Sequence, residues 1–182
     1  MQVFLYDLRR LLRNNGQMTW TYNQGVILSG LSKLYKYTLD PEIFNAAQNL
    51  IDSVLASSLV STPRGILVES SDPSWTSNQD QWMFKGIFFQ HLGWLLEDLV
   101  GTPGLDVATK KKILQKYSNF VKANASAVWE VAQGNDGLVC AWWEAPGGSI
   151  NKNHVSVETH GSGLAAVSCA VRVDRLIQLL ET

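Results

Sequence analysis

The chain has 182 residues, 46% of them apolar and 17% charged, which is a globular composition long enough to bury a core. A formal charge of −1 and a pI near 6.3 provide no long-range attraction for nucleic acid or an anionic membrane surface. The sequence has no uninterrupted apolar run of the roughly 18 residues a membrane span needs.

Met1 to Leu12 is interrupted by Asp7, Arg9 and Arg10 and leads to no small-residue cleavage site, so it does not read as a secretory signal. Gln24 to Thr38 carries Ile27, Leu31, Leu34 and Tyr35 at helical spacing. Asp40-Pro41 breaks that pattern and places proline at the first position of a second helix, with Ile43, Phe44, Ala47, Leu50, Ile51, Val54 and Leu55 on one face. A connector rich in Ser, Thr, Pro and Asp follows to about Gln81, and Gly65 to Glu69 within it suits a short strand.

The same succession then repeats. Trp82 to Val100 places Met83, Ile87, Phe88, His91, Leu92, Leu95 and Leu99 on one helical face, and Gly101-Thr102-Pro103-Gly104 stops it. A longer helix to about Ala132 uses Ile113, Leu114, Tyr117, Phe120, Val121, Val128 and Trp129 as its apolar stripe, with Lys110 to Lys112 on a solvated face. A second connector, Gln133 to Ser156, holds the turn signals Asn135-Asp136-Gly137 and Pro146-Gly147-Gly148, with Leu138 to Trp142 extended between them. The last helix runs from about Val157 to Leu180. Short turns at one end and long connectors at the other gather the long loops on one rim. This is the plan of an all-α, α/α toroid built from helical hairpins, and two and a half hairpins make an open arc.

Trp20-Thr21-Tyr22-Asn23-Gln24-Gly25-Val26, with Leu31 and Leu34-Tyr35 behind it, resembles the block that opens an inner helix in glycoside hydrolase family 76. Gly65-Ile66-Leu67-Val68-Glu69 followed by Phe84-Lys85-Gly86-Ile87-Phe88 resembles the family's next block, and Glu158-Thr159 with Ser162 to Ala166 is a looser third. The resemblance covers Trp20 to the end of the chain and sets residues 1–19 apart as an atypical N-terminal segment. It implies an incomplete (α/α)6 toroid with short strands in its rim loops, acting on α-1,6-linked mannose chains by retaining hydrolysis or transglycosylation, outside the cell or in the cell wall. Mannose-containing glycans are the implied partner, and no cofactor is expected.

In the family the catalytic carboxyls are consecutive aspartates upstream of the Tyr-Asn-Gln-Gly block. No Asp-Asp pair occurs in this chain, where Glu97-Asp98 is the sole adjacent acidic pair and falls in the last turn of its helix. No catalytic residue is therefore assigned here, and the chain alone is expected to be inactive. The substrate-binding candidates are Trp20, Tyr22, Asn23, Gln24, Phe84, Lys85 and Glu158. Aromatic faces stack on sugar rings and amides pair with hydroxyls. Equally, Asn23 and Gln24 suit helix capping, Lys85 a surface position, and Glu158 a dipole-compensating place in a first turn. Trp75, Trp82, Trp142 and Trp143 lie in connectors or at helix starts, as a wet aromatic groove requires, while Trp94 and Trp129 read as core.

Several other features stay open or bland. His160 is a weaker candidate beside Glu158, and His91, His154 and His160 lack paired metal-ligand spacing. Gly161-Ser162-Gly163 reads as small residues for close helix packing rather than a phosphate loop. Cys140 and Cys169 can form one disulfide or remain two buried thiols. Asn124-Ala125-Ser126 matches a glycosylation acceptor. The edges of an open arc are expected to expose apolar surface and favour self-association.

Overall fold

The computed structural model describes residues 17–134, 136–145 and 152–181. The atypical segment up to residue 16 and the Pro146-Gly147-Gly148 turn lie outside them, as does Asn135 of the other turn.

Among the described residues, five long helices and one short one carry the fold. Helix α1 (Thr21–Thr38) ends where Leu39 turns left-handed and its N–H returns to the Tyr35 carbonyl at 2.7 Å. One residue later Asp40 caps α2 (Pro41–Leu55) by accepting from the Glu42 N–H, with Pro41 at the first turn. After the connector, Asn78 and Gln81 form a capping box on the one-turn helix α3 (Gln79–Trp82), and the chain breaks at Met83 before α4 (Phe84–Gly101). Asp106 caps α5 (Val107–Ala127), which continues as a π-helical turn, Val128–Ala132. Ser156 caps α6 (Val157–Leu179).

Helices α1, α4 and α6 stand side by side as an inner row. Outside them α2 backs α1, and α5 packs chiefly against α6. The result is an open arc of an α/α toroid with the inner helices' N-termini on one rim.

Two glycines explain how closely the inner row packs. A Cβ on Gly25 of α1 would stand 2.6 Å from the Phe88 Cα of α4, and one on Gly86 of α4 would stand 2.4 Å from the Ser162 Cα of α6. Each seam therefore needs a residue without a side chain where the backbones meet. Gly163 likewise faces Val128 and Val139, so Ser162-Gly163 does serve close packing.

That closeness shifts the register expected for α1. Its buried face is Thr21, Gly25, Leu28, Ser32 and Tyr35, while Ile27 and Leu34 are exposed. Small and polar residues occupy the contact because larger ones would hold α4 away.

Neither expected rim strand forms; isolated bridges take their place, Val60 with Leu67, Gln133 with Val139 and Cys140 with Val155. In the first connector the Leu67 N–H donates to the Asn124 side-chain oxygen at 2.7 Å and the Glu69 N–H to Asp72 at 3.0 Å. The Val68 N–H still reaches the Leu59 carbonyl at 2.8 Å, but with the donors on either side of it taken by side chains the pairing stops at a single bridge.

Asn124 is fully buried, and its amide also donates to the Gly65 and Phe120 carbonyls. It is a pin for the connector, and a glycan there would have to break all three bonds. Cys140 and Cys169 are both buried free thiols, so no disulfide joins them.

The tryptophans partly reverse their expected places. Trp143 and Trp82 are buried, whereas Trp94 is exposed on α4 and Trp129 is 67% exposed beside α6. The exposed apolar edges are Val26, Ile27, Leu34 and Tyr37 on α1, and Val157, Leu164 and Val171 on α6.

Candidate functional site

The rim is where the expected site residues partly converge. Trp20 and Tyr22 flank the first residue of α1, and both meet Phe84 at the start of α4. The ring centroids are 5.5 Å apart for Trp20–Phe84, nearly perpendicular, and 4.2 Å for Tyr22–Phe84, tilted by 40°. None of the three is buried.

The start of α1 has no cap from its own strand of sequence: Trp20 at the N-cap supplies no side-chain hydrogen bond. Asn23 and Gln24 therefore do not cap it. Glu69 does, from the first connector, accepting both the Thr21 backbone N–H at 3.2 Å and the Thr21 hydroxyl. A carboxylate at a helix N-terminus is also favoured by the helix dipole.

The other candidates separate. Asn23 is exposed, and Gln24 lines a cleft with Thr19, Leu50, Ser53 and Val54, toward the outer helix and away from Phe84. Lys85 is neither a surface lysine nor free to meet a sugar: it is 2% exposed, ion-paired with Asp72, and donates to the Ala141 carbonyl at 2.7 Å. Its Nζ also lies 5.2 Å from the centre of the Trp143 ring.

Glu158 opens onto a groove of about 400 Å³ between α4 and α6, lined by Met83, Gly86, Ile87 and Gln90. Hydrogen bonding with Ser156 holds its carboxyl below the usual range. His160 turns the other way, into an apolar groove with Val128, Trp129 and Leu164.

Two carboxyl groups were not among the expected site residues. Glu69 and Asp72 are 1% and 3% exposed, and burial pushes the Glu69 carboxyl up to about 7 against the opposing pull of Thr21 and Lys85. Trp75 and Trp142 meet edge to face at 5.3 Å, and His154 lies 5.1 Å from Trp75 and 5.3 Å from Trp82. The crowding of tryptophans in the connectors signalled this second aromatic patch. Nothing in the linear sequence pairs Glu69 with Thr21, 48 positions away.

Residues 6–173 match the pattern of glycosyl hydrolase family 76. The chain belongs to this family. The match begins at residue 6, ahead of the boundary expected at residue 20. The mannan endo-1,6-alpha-mannosidase DCW1 of Candida albicans is 27% identical over 141 residues, covering 75% of this chain and 29% of DCW1. An inactive variant of the α-1,6-mannanase GH76A of Salegentibacter sp. HEL1_6, with two adjacent aspartates replaced and α-1,6-mannotriose bound, superposes with a TM-score of 0.66. It is 20% identical, and the match covers 88% of this chain and 44% of that one. Dfg5 of Chaetomium thermophilum, in complex with glucosamine, gives a TM-score of 0.63 at 19% identity over 89% of this chain and 36% of its own. The family 76 chain described here thus spans less than half the length of these relatives.

The family blocks now have physical meaning. Gly25 and Gly86 are the two points where inner helices touch, and Thr21, Glu69 and Lys85 are the buried polar groups that tie the rim together.

Proposed function

We propose that this chain forms one wall of an α-1,6-mannan-binding groove of the family 76 type, belonging to a retaining glycosidase or transglycosidase that works outside the cell or in the cell wall. The observation that carries this is the rim trio Trp20, Tyr22 and Phe84, whose partly exposed rings gather at the N-termini of two inner helices. Such rings offer flat apolar faces to the apolar faces of mannose units. Glu158 lines the groove between α4 and α6, and its carboxylate there can accept from a sugar hydroxyl.

Retaining chemistry needs two carboxyls about 5 Å apart, one as nucleophile and one as acid/base. Glu69 and Asp72 are buried and engaged by Thr21 and Lys85, which leaves them structural. We assign no acid pair among these residues, and the chain alone is expected to be inactive. Hydrolysis of α-1,6-mannan by the purified chain would overturn that assignment.

A second reading, a non-catalytic carbohydrate-binding or helical scaffold domain, is favoured by the lack of any Asp-Asp pair in the 182 residues. Titration with α-1,6-mannotriose separates the possibilities. Binding that is lost in Tyr22→Ala supports the sugar groove, and no binding at millimolar concentration leaves the scaffold reading.

The apolar edges on α1 and α6 bear on the state of the isolated chain. Val157 at 85% exposure and Trp129 at 67% form, with Leu164 and Val171, a surface that water leaves poorly satisfied. The isolated chain is expected to self-associate through it. Light scattering on Leu164→Gln should show a shift toward monomer; a monodisperse wild-type monomer would count against the idea.

A further inference from the structure

Glu69, Asp72 and Lys85 form one connected cluster rather than three isolated buried groups. The Glu69 carboxylate holds Thr21, which lies between Trp20 and Tyr22. The Glu69 backbone N–H donates to Asp72 Oδ2 at 3.0 Å, and the same oxygen pairs with Lys85, the neighbour of Phe84. Asp72 opens the 3-10 turn Asp72–Ser74, which Trp75 closes at φ 55°, a left-handed conformation uncommon for a bulky residue. Lys85 reaches on to the Ala141 carbonyl, next to Trp142. Every ring of the two rim patches apart from His154 therefore sits within three residues of a group in this cluster or of a group bonded to it.

Buried ionic groups are a weak route to stability, because desolvation offsets most of the Coulomb gain. What such a cluster does supply is direction, since each bond is satisfied in one arrangement only. We propose that Glu69 is a positioning residue for the sugar-binding rim, the end of a buried Glu69–Asp72–Lys85 brace that sets Trp20 and Tyr22 against Phe84 and holds that trio at a set distance from Trp75 and Trp142. The proposal rests on the sugar-groove reading for its function but not for its geometry. The charged and titratable groups facing Glu69 among the described residues are Asp72 from the 3-10 turn and Lys85 from α4, with the Cys140 thiol next in range of that pair. Ionisation of Glu69 takes the brace from no net charge to one negative charge, beneath the rim aromatics.

The test compares wild type, Glu69→Gln and a core control, Leu114→Ala, by near-UV circular dichroism, thermal melting and α-1,6-mannotriose titration. Glu69→Gln should keep the helical far-UV signal, lose a substantial part of the near-UV tryptophan signal, and bind mannotriose about tenfold more weakly. The control should melt early with both rim readouts unchanged. In wild type part of the near-UV signal should titrate with a midpoint near pH 7, and Glu69→Gln should lack that part. If Glu69→Gln fails to fold, Thr21→Val, which removes the hydroxyl partner alone, takes its place with the same near-UV and mannotriose expectations, while its pH step should remain.

A variant that melts early but keeps its near-UV signal overturns the proposal, as does a near-UV pH profile that Glu69→Gln leaves unchanged. Wild type that binds no mannotriose overturns the sugar-groove reading, while the near-UV comparison still decides the brace.

Discussion

The two ends of the inner helices use the same ion-pair chemistry in opposite ways. At the rim, Lys85 and Asp72 are almost fully buried and share their bonds with two connectors. Some 20 Å along α4, at the short-turn end, Asp98 gathers Ser32, Lys33 and Lys36 of α1, and Glu97 pairs with Arg172 of α6. There the lysines are 65% and 53% exposed. Water screens the far-end lysines, and Asp98 keeps its remaining partners when one of them is removed. At the rim, removing one partner strands a charge. The same residue types therefore fasten loosely at one end and set geometry at the other.

The largest effect that should break this comparison is Lys85→Ala. It leaves the Asp72 carboxylate buried without its partner, for an expected loss of about 3–5 kcal/mol in urea unfolding. Lys33→Ala at the far end should lose at most about 1 kcal/mol. Asp72→Leu combined with Lys85→Met should recover much of the loss, because an apolar pair of similar size carries no desolvation cost. That double variant would be stable with a misplaced rim, which is the sharpest distinction between the two roles.

The ends should also respond to pH with opposite sign. Burial raises the folded Glu69 carboxyl from 4.5 to about 7, so the folded state binds more protons than the unfolded chain between those values. Stability from this group is full below about pH 4.5 and is lost as pH rises through about 7, amounting to up to about 3 kcal/mol. For Asp98 burial acts to raise the carboxyl, but hydrogen bonds from Lys33, Ser32 and Lys36 outweigh it and hold the group below its ordinary value. Its contribution is present above the unfolded carboxylate value and is lost as pH falls through the lower folded one. Melting temperatures from pH 3 to 8 should fall toward alkali less in Glu69→Gln than in wild type, and fall toward acid less in Asp98→Asn.

Asn124→Ala comes next in size. It leaves the Leu67 N–H and the Gly65 carbonyl without their partner in a buried connector, an expected cost of about 1–3 kcal/mol by urea unfolding. Because that connector also carries Glu69, the loss should reach the near-UV tryptophan signal as well. Equal destabilisation by Leu114→Ala should not.

The helices were legible because each announces itself twice, by a periodic apolar face and by an end signal such as Asp40-Pro41, Asp106 or Ser156. The toroid was legible through the alternation of short turns with long connectors, and through the family blocks. What periodicity could not supply was the register of α1, since Gly25 and Ser32 face the core where a stripe of large residues would be expected. It also misplaced Trp129 and Trp94, which extend apolar stripes in the sequence but lie on open surfaces. Of the candidate site, the aromatic trio was legible from residue type and place. Lys85 was not, because whether a lysine at a helix start is solvated or buried depends on Asp72 and on the Ala141 carbonyl, 56 positions away.

Lys36→Ala should have the smallest effect, and it tests the comparison from the weak side. Lys36 contacts Asp98 at 3.2 Å while Lys33 lies nearer, at 2.5 Å, so Asp98 keeps its ion pair and its Ser32 hydrogen bond when Lys36 is removed. A loss below about 0.5 kcal/mol is expected, shrinking further at high salt as the Debye length contracts to about 3 Å at 1 M. Lys85→Ala, sealed from solvent, should show nearly the same loss at both ionic strengths. If the Lys36 variant instead cost several kcal/mol and ignored salt, the short-turn end would be as tightly built as the rim, and burial would no longer explain why one cluster sets geometry and the other does not.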